Sequence, residues 1–117
     1  GPQIELEVMT EHAPANVASC FAAVLREALS NTMHHACAQT VTVRCMEHPS
    51  FYQLIVSDDG AGGVRASGRG VAEGMGLGSM RERVEALGGT FTAGPRAGSP
   101  GWRVFATVPK QQGDEDR

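Results

Sequence analysis

The sequence predicts an α/β domain, and three features carry that reading. Apolar and polar residues alternate with the two-residue period of strands near the start, in the middle and at the end of the chain. A long run at helical spacing separates the first strand from the second, and a glycine-rich stretch feeds a second helix.

In chain order, Ile4, Leu6 and Val8 alternate with Glu5 and Glu7 as a half-buried strand. Pro14 suits the first turn of a helix. Val17, Phe21, Val24, Leu25, Ala28, Leu29, Thr32 and Ala36 follow at helical spacing, which predicts a helix to about Ala36, roughly six turns long. Residues 41–46 and 51–56 are β-rich runs joined by Glu47, His48, Pro49 and Ser50, a hairpin connection expected to deliver Asp58 to the edge of the sheet. Glycines at 60, 62, 63, 68, 70, 74, 76 and 78 cost too much backbone entropy for a regular element, so a mobile loop is expected there. Leu77 or Ser79 opens a second helix through Met80, Val84 and Leu87, stopped by Gly88 and Gly89. Phe91 and Thr92 begin a short strand, residues 94–101 form a turn-rich connection, and residues 102–108 alternate as the last strand. Residues 3–110 are the expected domain, with Gly1-Pro2 read as an expression scar and 111–117 as a disordered tail.

Size and charge exclude several function classes. A chain of 117 residues supports one core. Thirteen acidic against ten basic residues give a net charge of −3, which disfavours a surface made to neutralise nucleic-acid phosphates. Cys20, Cys37 and Cys45 are odd in number, and a zinc site at His34, His35 and Cys37 lacks a second ligand pair; a reducing, cytoplasmic compartment is expected. No apolar run reaches the length of a membrane span, so direct membrane contact is not expected.

The chemistry centres on Val56-Ser57-Asp58-Asp59-Gly60-Ala61-Gly62-Gly63. A carboxylate closing a buried strand needs hydrogen-bond donors, which places Asp58 to read a ligand, although the same pattern also describes an ordinary tight turn. Glu27, Asn31, His34 and His35 fall within a helix sector of about 100° beside the apolar stripe. Such a stripe is either a solvated helix face or, with Glu and Asn one turn apart, an oxygen-rich pair of the kind Mg²⁺ accepts while bridging to phosphates. A glycine-rich loop that ends at a helix start adds free backbone N–H groups and a positive dipole end, suited to phosphate.

Three pieces therefore stand in order: residues 26–36 around Glu27 and Asn31, then Asp58-Asp59-Gly60-Ala61-Gly62, then residues 74–89, from Gly74-Met75-Gly76-Leu77-Gly78-Ser79 through Met80-Arg81-Glu82-Arg83-Val84-Glu85. Together they resemble the asparagine box and two glycine boxes of the ATP-binding catalytic domain of sensor histidine kinases, in the nitrate-sensor-like branch, across residues 4–109. The resemblance implies a two-layer α/β sandwich of Bergerat type, with helices on one face of a mixed sheet, a glycine-rich ATP lid, and ATP with Mg²⁺ as ligands. It implies that Asp58 accepts a hydrogen bond from the adenine amine and that Gly60 and Gly62 let the base approach the backbone. Asn31 matches the Mg²⁺ ligand, Glu27 the acidic residue that organises the reaction, and His35, with His34 beside it, the positions near the phosphates. Gly74, Gly76, Leu77 and Gly78 match the phosphate-facing end of the lid.

In such a kinase the γ-phosphoryl passes to a histidine on a dimerisation domain and then to an aspartate on a response regulator. No stretch here resembles the phosphoacceptor box. Two positions depart from the branch: His34 stands where Arg or Lys is usual, and Gly78-Ser79 inverts a common order. An anti-sigma-factor serine kinase of the same superfamily and a non-catalytic binding module are the competing readings. Without nucleotide, residues 64–73 are expected to be mobile, because they offer few apolar anchors.

Overall fold

A computed structural model describes residues 2–9, 12–35, 37–60 and 76–111. Strand β1 (Gln3–Met9) leads to helix α1 (Ala15–His35), then to strands β2 (Thr40–Glu47) and β3 (Phe51–Asp58). Helix α2 (Leu77–Glu85) precedes strands β4 (Thr90–Pro95) and β5 (Trp102–Pro109). The five strands form one mixed sheet in the order β1-β2-β3-β5-β4, with β1 parallel to β2 and the remaining pairs antiparallel. The expected mixed α/β architecture is therefore the observed one.

Strand alternation builds the core. Tyr52, Leu54 and Val56 of β3 and Val104, Ala106 and Val108 of β5 are buried on one face, their neighbours only partly so. Against that face lies the α1 stripe of Val17, Phe21, Val24 and Ala28, spaced four, three and four residues apart. From α2 come Met80 and Val84, one turn apart. Both helices pack on this same face, so the described part of the molecule has two layers.

Helix α2 begins and ends at glycines for conformational reasons. Gly76 at its head has φ +68 and Gly88 past its end has φ +76, a region that glycine enters without strain. The Gly89 amide donates to the Val84 carbonyl at 3.0 Å, satisfying one of the last-turn acceptors. At the hairpin, the His48 amide donates to the Phe51 carbonyl at 2.8 Å, and Lys110 Nζ reaches Glu47 at 2.6 Å across the strand ends.

Two expectations need revision. Asp58 does not reach the sheet edge: β3 is the central strand, because β5 pairs along its free side through Phe51 to Asp58. Strand β1 is not half-buried either. Its register puts Ile4 and Leu6 beside Val41 and Val43, on the helix-covered side, yet Ile4, Leu6 and Val8 are 54%, 65% and 57% exposed. Helix α1 lies over β3 and β5, and the outermost strand extends past its shelter.

Leu54 fills the centre of this core at 2% exposure. Leu54→Ala is expected to lower unfolding free energy by about 2–5 kcal/mol, read from denaturant melts followed by circular dichroism.

Candidate functional site

The polar centre of the molecule forms where the end of β3 meets the last turns of α1. The pairing that buries Val56 also points Asp58 toward the helices, where it is 3% exposed. A buried carboxylate costs several kcal/mol unless donors replace its water. Such donors are present: Thr32 donates its hydroxyl to Oδ2 at 3.1 Å, and the Gly60 amide donates to Oδ1 at 2.9 Å. Asn31 and Thr32 are themselves 7% and 4% exposed. A buried hydroxyl of α1 thus meets the strand end that carries the carboxylate, and the residue before it on the helix, Asn31, is buried too.

The backbone of Asp58 is clamped from behind. Arg96 Nη1 donates to its carbonyl at 3.1 Å. Gly101, at φ +123, passes so close that a Cβ there would collide with the same carbonyl oxygen. Asp59 plays a different part: exposed, it accepts the Gln39 and Thr40 amides through Oδ1 at 2.9 and 3.0 Å, tying the entry to β2 against the exit of β3. The Thr40 amide above all, helped by Gln39 and by the nearby Arg96, holds the Asp59 carboxyl below the usual aspartate value against the opposing effect of burial.

The anticipated residues separate into groups. Glu27, half-buried one turn before Asn31, lies against the head of α2: a Cβ on Gly76 would strike its carboxylate. That places a negative group at a helix N-terminus, where the dipole favours it. Leu77 opens α2 and packs on the core, whereas Gly78 is exposed, with room around it for a side chain. Gly60 is buried and bonded to Asp58. His34 is not gathered into this centre; its ring sits on the exposed helix surface, with Nδ1 2.7 Å from the Ser30 carbonyl. His35 closes α1, and its side chain lies outside the described residues. So do Gly62, Gly74, residues 64–73 and the tail from 112.

Three participants escaped sequence reasoning. Thr32 sits at an apolar position of the helical pattern and was legible only as core, yet its hydroxyl orients the carboxylate. Arg96 and Gly101 lie in what reads as a plain turn. Nothing local links them to a strand 38 or more residues earlier.

The donor set fits a magnesium ion held mainly by a phosphorylated ligand. Glu27 and Asn31 offer oxygen atoms from successive turns, and no group of three or more His, Cys, Asp or Glu side chains suited to a metal forms among the described residues. Mg²⁺ needs no all-protein cage when phosphates and waters complete its shell.

With this geometry in view, the relatives are informative. The chain is 38% identical over 88 residues to the signal transduction histidine-protein kinase/phosphatase UhpB of Salmonella typhimurium, covering 75% of this chain and 16% of that protein. It is 32% identical over 100 residues to the nitrate/nitrite sensor protein NarQ of Escherichia coli, covering 80% of this chain and again 16% of the relative. The chain thus spans about a sixth of the length of these relatives. No family model matches. Among solved structures, the histidine kinase domain of the Erythrobacter litoralis blue-light activated histidine kinase superposes with a TM-score of 0.67 at 20% identity, over 96% of this chain and 53% of that one. The ATP binding domain of PrrB from Mycobacterium tuberculosis gives 0.62 at 17% identity, over 96% and 84%. By sequence the chain is a homologue of sensor histidine kinases, and its fold is the one their ATP-binding domains adopt.

Thr32→Val keeps shape but leaves one carboxylate oxygen short of a donor; a loss of about 1–3 kcal/mol in unfolding free energy is expected from denaturant melts. Because Asp59 has a depressed folded-state pKa, its contribution to stability is complete above the ordinary aspartate value and fades as pH falls through the folded one. In an NMR pH titration, the Gln39 and Thr40 amide shifts should move together, with a midpoint below that ordinary value.

Proposed function

We propose that the chain is the ATP-binding catalytic domain of a sensor histidine kinase, which binds Mg-ATP and presents the γ-phosphoryl to a histidine on the kinase's dimerisation domain. The observation that carries this reading is the buried Asp58 carboxylate, oriented by Thr32 and Gly60, with Asn31, the helix residue before Thr32, buried as well. A carboxylate so held is an acceptor for an exocyclic amine, which suits adenine, while Gly60 leaves the backbone open to a flat base.

Away from the base, Asn31 and Glu27 would hold the magnesium ion and its water, and the ion would neutralise charge on the phosphates. The head of α2 at Gly76, Leu77 and Gly78 offers first-turn N–H groups to the phosphates, as the end of a glycine-rich lid that includes Gly62 and Gly74. His35 is assigned to the phosphate end of the cleft, whereas His34, with its ring on the exposed helix surface, is left out of it. Phosphoryl transfer asks little more of a protein than position and charge, and these residues supply both. The acceptor histidine lies on a separate domain, the phosphoryl group then passes to an aspartate of a response regulator, and the cytoplasm is where these partners meet ATP.

Calorimetric titration with Mg-ATP tests the assignment. Asp58→Asn should weaken binding about 10- to 100-fold, since a buried charge-assisted bond is lost, while Asn31→Ala should mainly abolish the dependence on Mg²⁺. The chain alone should bind nucleotide yet acquire no label from radiolabelled ATP. Wild-type binding by Asp58→Asn would refute the adenine assignment.

A further inference from the structure

The face of the sheet turned away from the helices carries a chemistry that nucleotide binding does not use. Alternation places Thr42 and Arg44 of β2, Ile55 and Ser57 of β3, and Arg103 and Phe105 of β5 on it. With Arg96 these residues line a cavity of about 260 Å³. A second cavity of about 320 Å³ adjoins it, sharing Arg96, Arg103 and Phe105 and continuing over β4 to Thr92. Three of the nine arginines in a chain of net charge −3 thus converge on one surface.

Their local partners leave that charge largely available. Arg103 Nε donates to the Ser57 hydroxyl at 3.2 Å, and its guanidinium lies 5.6 Å over the Phe105 ring, both neutral groups. Arg96 donates Nη1 to a backbone carbonyl, and its Nε is buried without a hydrogen-bond partner. It also lies near Asp59, whose carboxylate already serves two amides. Arg44 alone of the three makes an ion pair among the described residues, with Glu7 at 3.1 Å; both side chains are about half exposed, at 47% and 49%, where such a pair holds weakly.

We propose that this open face docks an acidic amphipathic helix of a polypeptide partner. Its carboxylates would pair with Arg44, Arg96 and Arg103, and its apolar stripe would cover Ile55 and Phe105. Charge complementarity selects carboxylates, and planar guanidinium groups bind them in bidentate fashion. The apolar pair between the arginines selects a side-chain ligand over a bare polyanion. Spacing favours a helix: Arg44 and Arg103 stand about 10–12 Å apart by strand geometry, close to the roughly 10.5 Å between residues i and i+7 of a helix.

The test uses a fluorescein-labelled helix with a leucine stripe flanked by glutamates, its counterpart with lysine in place of glutamate, and a labelled single-stranded oligonucleotide. Anisotropy should show the glutamate helix binding and the lysine helix not binding. Combining Arg44→Glu with Arg103→Glu should weaken the glutamate helix by about tenfold or more and admit the lysine helix. Arg103→Gln, which retains a donor toward Ser57, should give an intermediate loss with an unchanged circular dichroism spectrum. Amide shifts should move at Thr42, Ser57 and Phe105. Equal binding by wild type and the folded charge-reversed chain, shifts confined to the helix-covered face, or an oligonucleotide bound as tightly as the glutamate helix would each overturn the proposal.

Discussion

A single buried carboxylate sets the terms for the rest of this domain. Asp58 has almost no contact with water, so its charge needs donors, and among the described residues they meet it from two directions. One donor comes from α1 and the other from the chain just beyond β3. Helix, strand end and following turn are therefore held in one fixed relation by an electrostatic requirement as well as by apolar packing. Any rotation of α1 that withdrew Thr32 would take one donor from a buried charge, at a cost of about 1–3 kcal/mol.

That requirement explains features that seem unrelated when taken singly. Gly101 must lack a side chain because β5 runs against the carbonyl of Asp58, and Arg96 meets the same oxygen from the turn before β5. Gly76 is bare because its φ of +68 suits glycine, and Glu27 occupies the space beside it at the head of α2. The two ends of the proposed nucleotide cleft, Asp58 and Gly76, are thus both fixed against α1, which carries Asn31 between Glu27 and Thr32. One helix acts as the ruler along which the site is laid out. Arg96 further joins the back of that site to the cationic open face, so the two surfaces share a side chain.

Much of this was readable along the chain. The 3.6-residue spacing of Val17, Phe21, Val24 and Ala28 predicted α1 to within a residue of its end, because one helix face had to be apolar. Alternation in residues 51–56 and 102–108 likewise predicted strands covered on one side. The pairing of Asp58 with later glycines, and the presence of Asn31 one turn after Glu27, stood out because a strand-end carboxylate and clustered glycines are costly and asparagine is weakly helix-forming. Alternation misled at β1: it reports which side chains share a face, not whether a helix reaches far enough to cover them.

What the sequence determined by itself was the kind of each element and the polar residues it carries, since both follow from neighbours within a turn or two. Tertiary structure alone decided that β3 is central, that Thr32 answers Asp58 across 26 residues, and that Arg44, Arg96 and Arg103 gather on one surface. Those outcomes depend on strand order and register. Register is chosen by the packing of the whole sheet against its helices, and no local period encodes it.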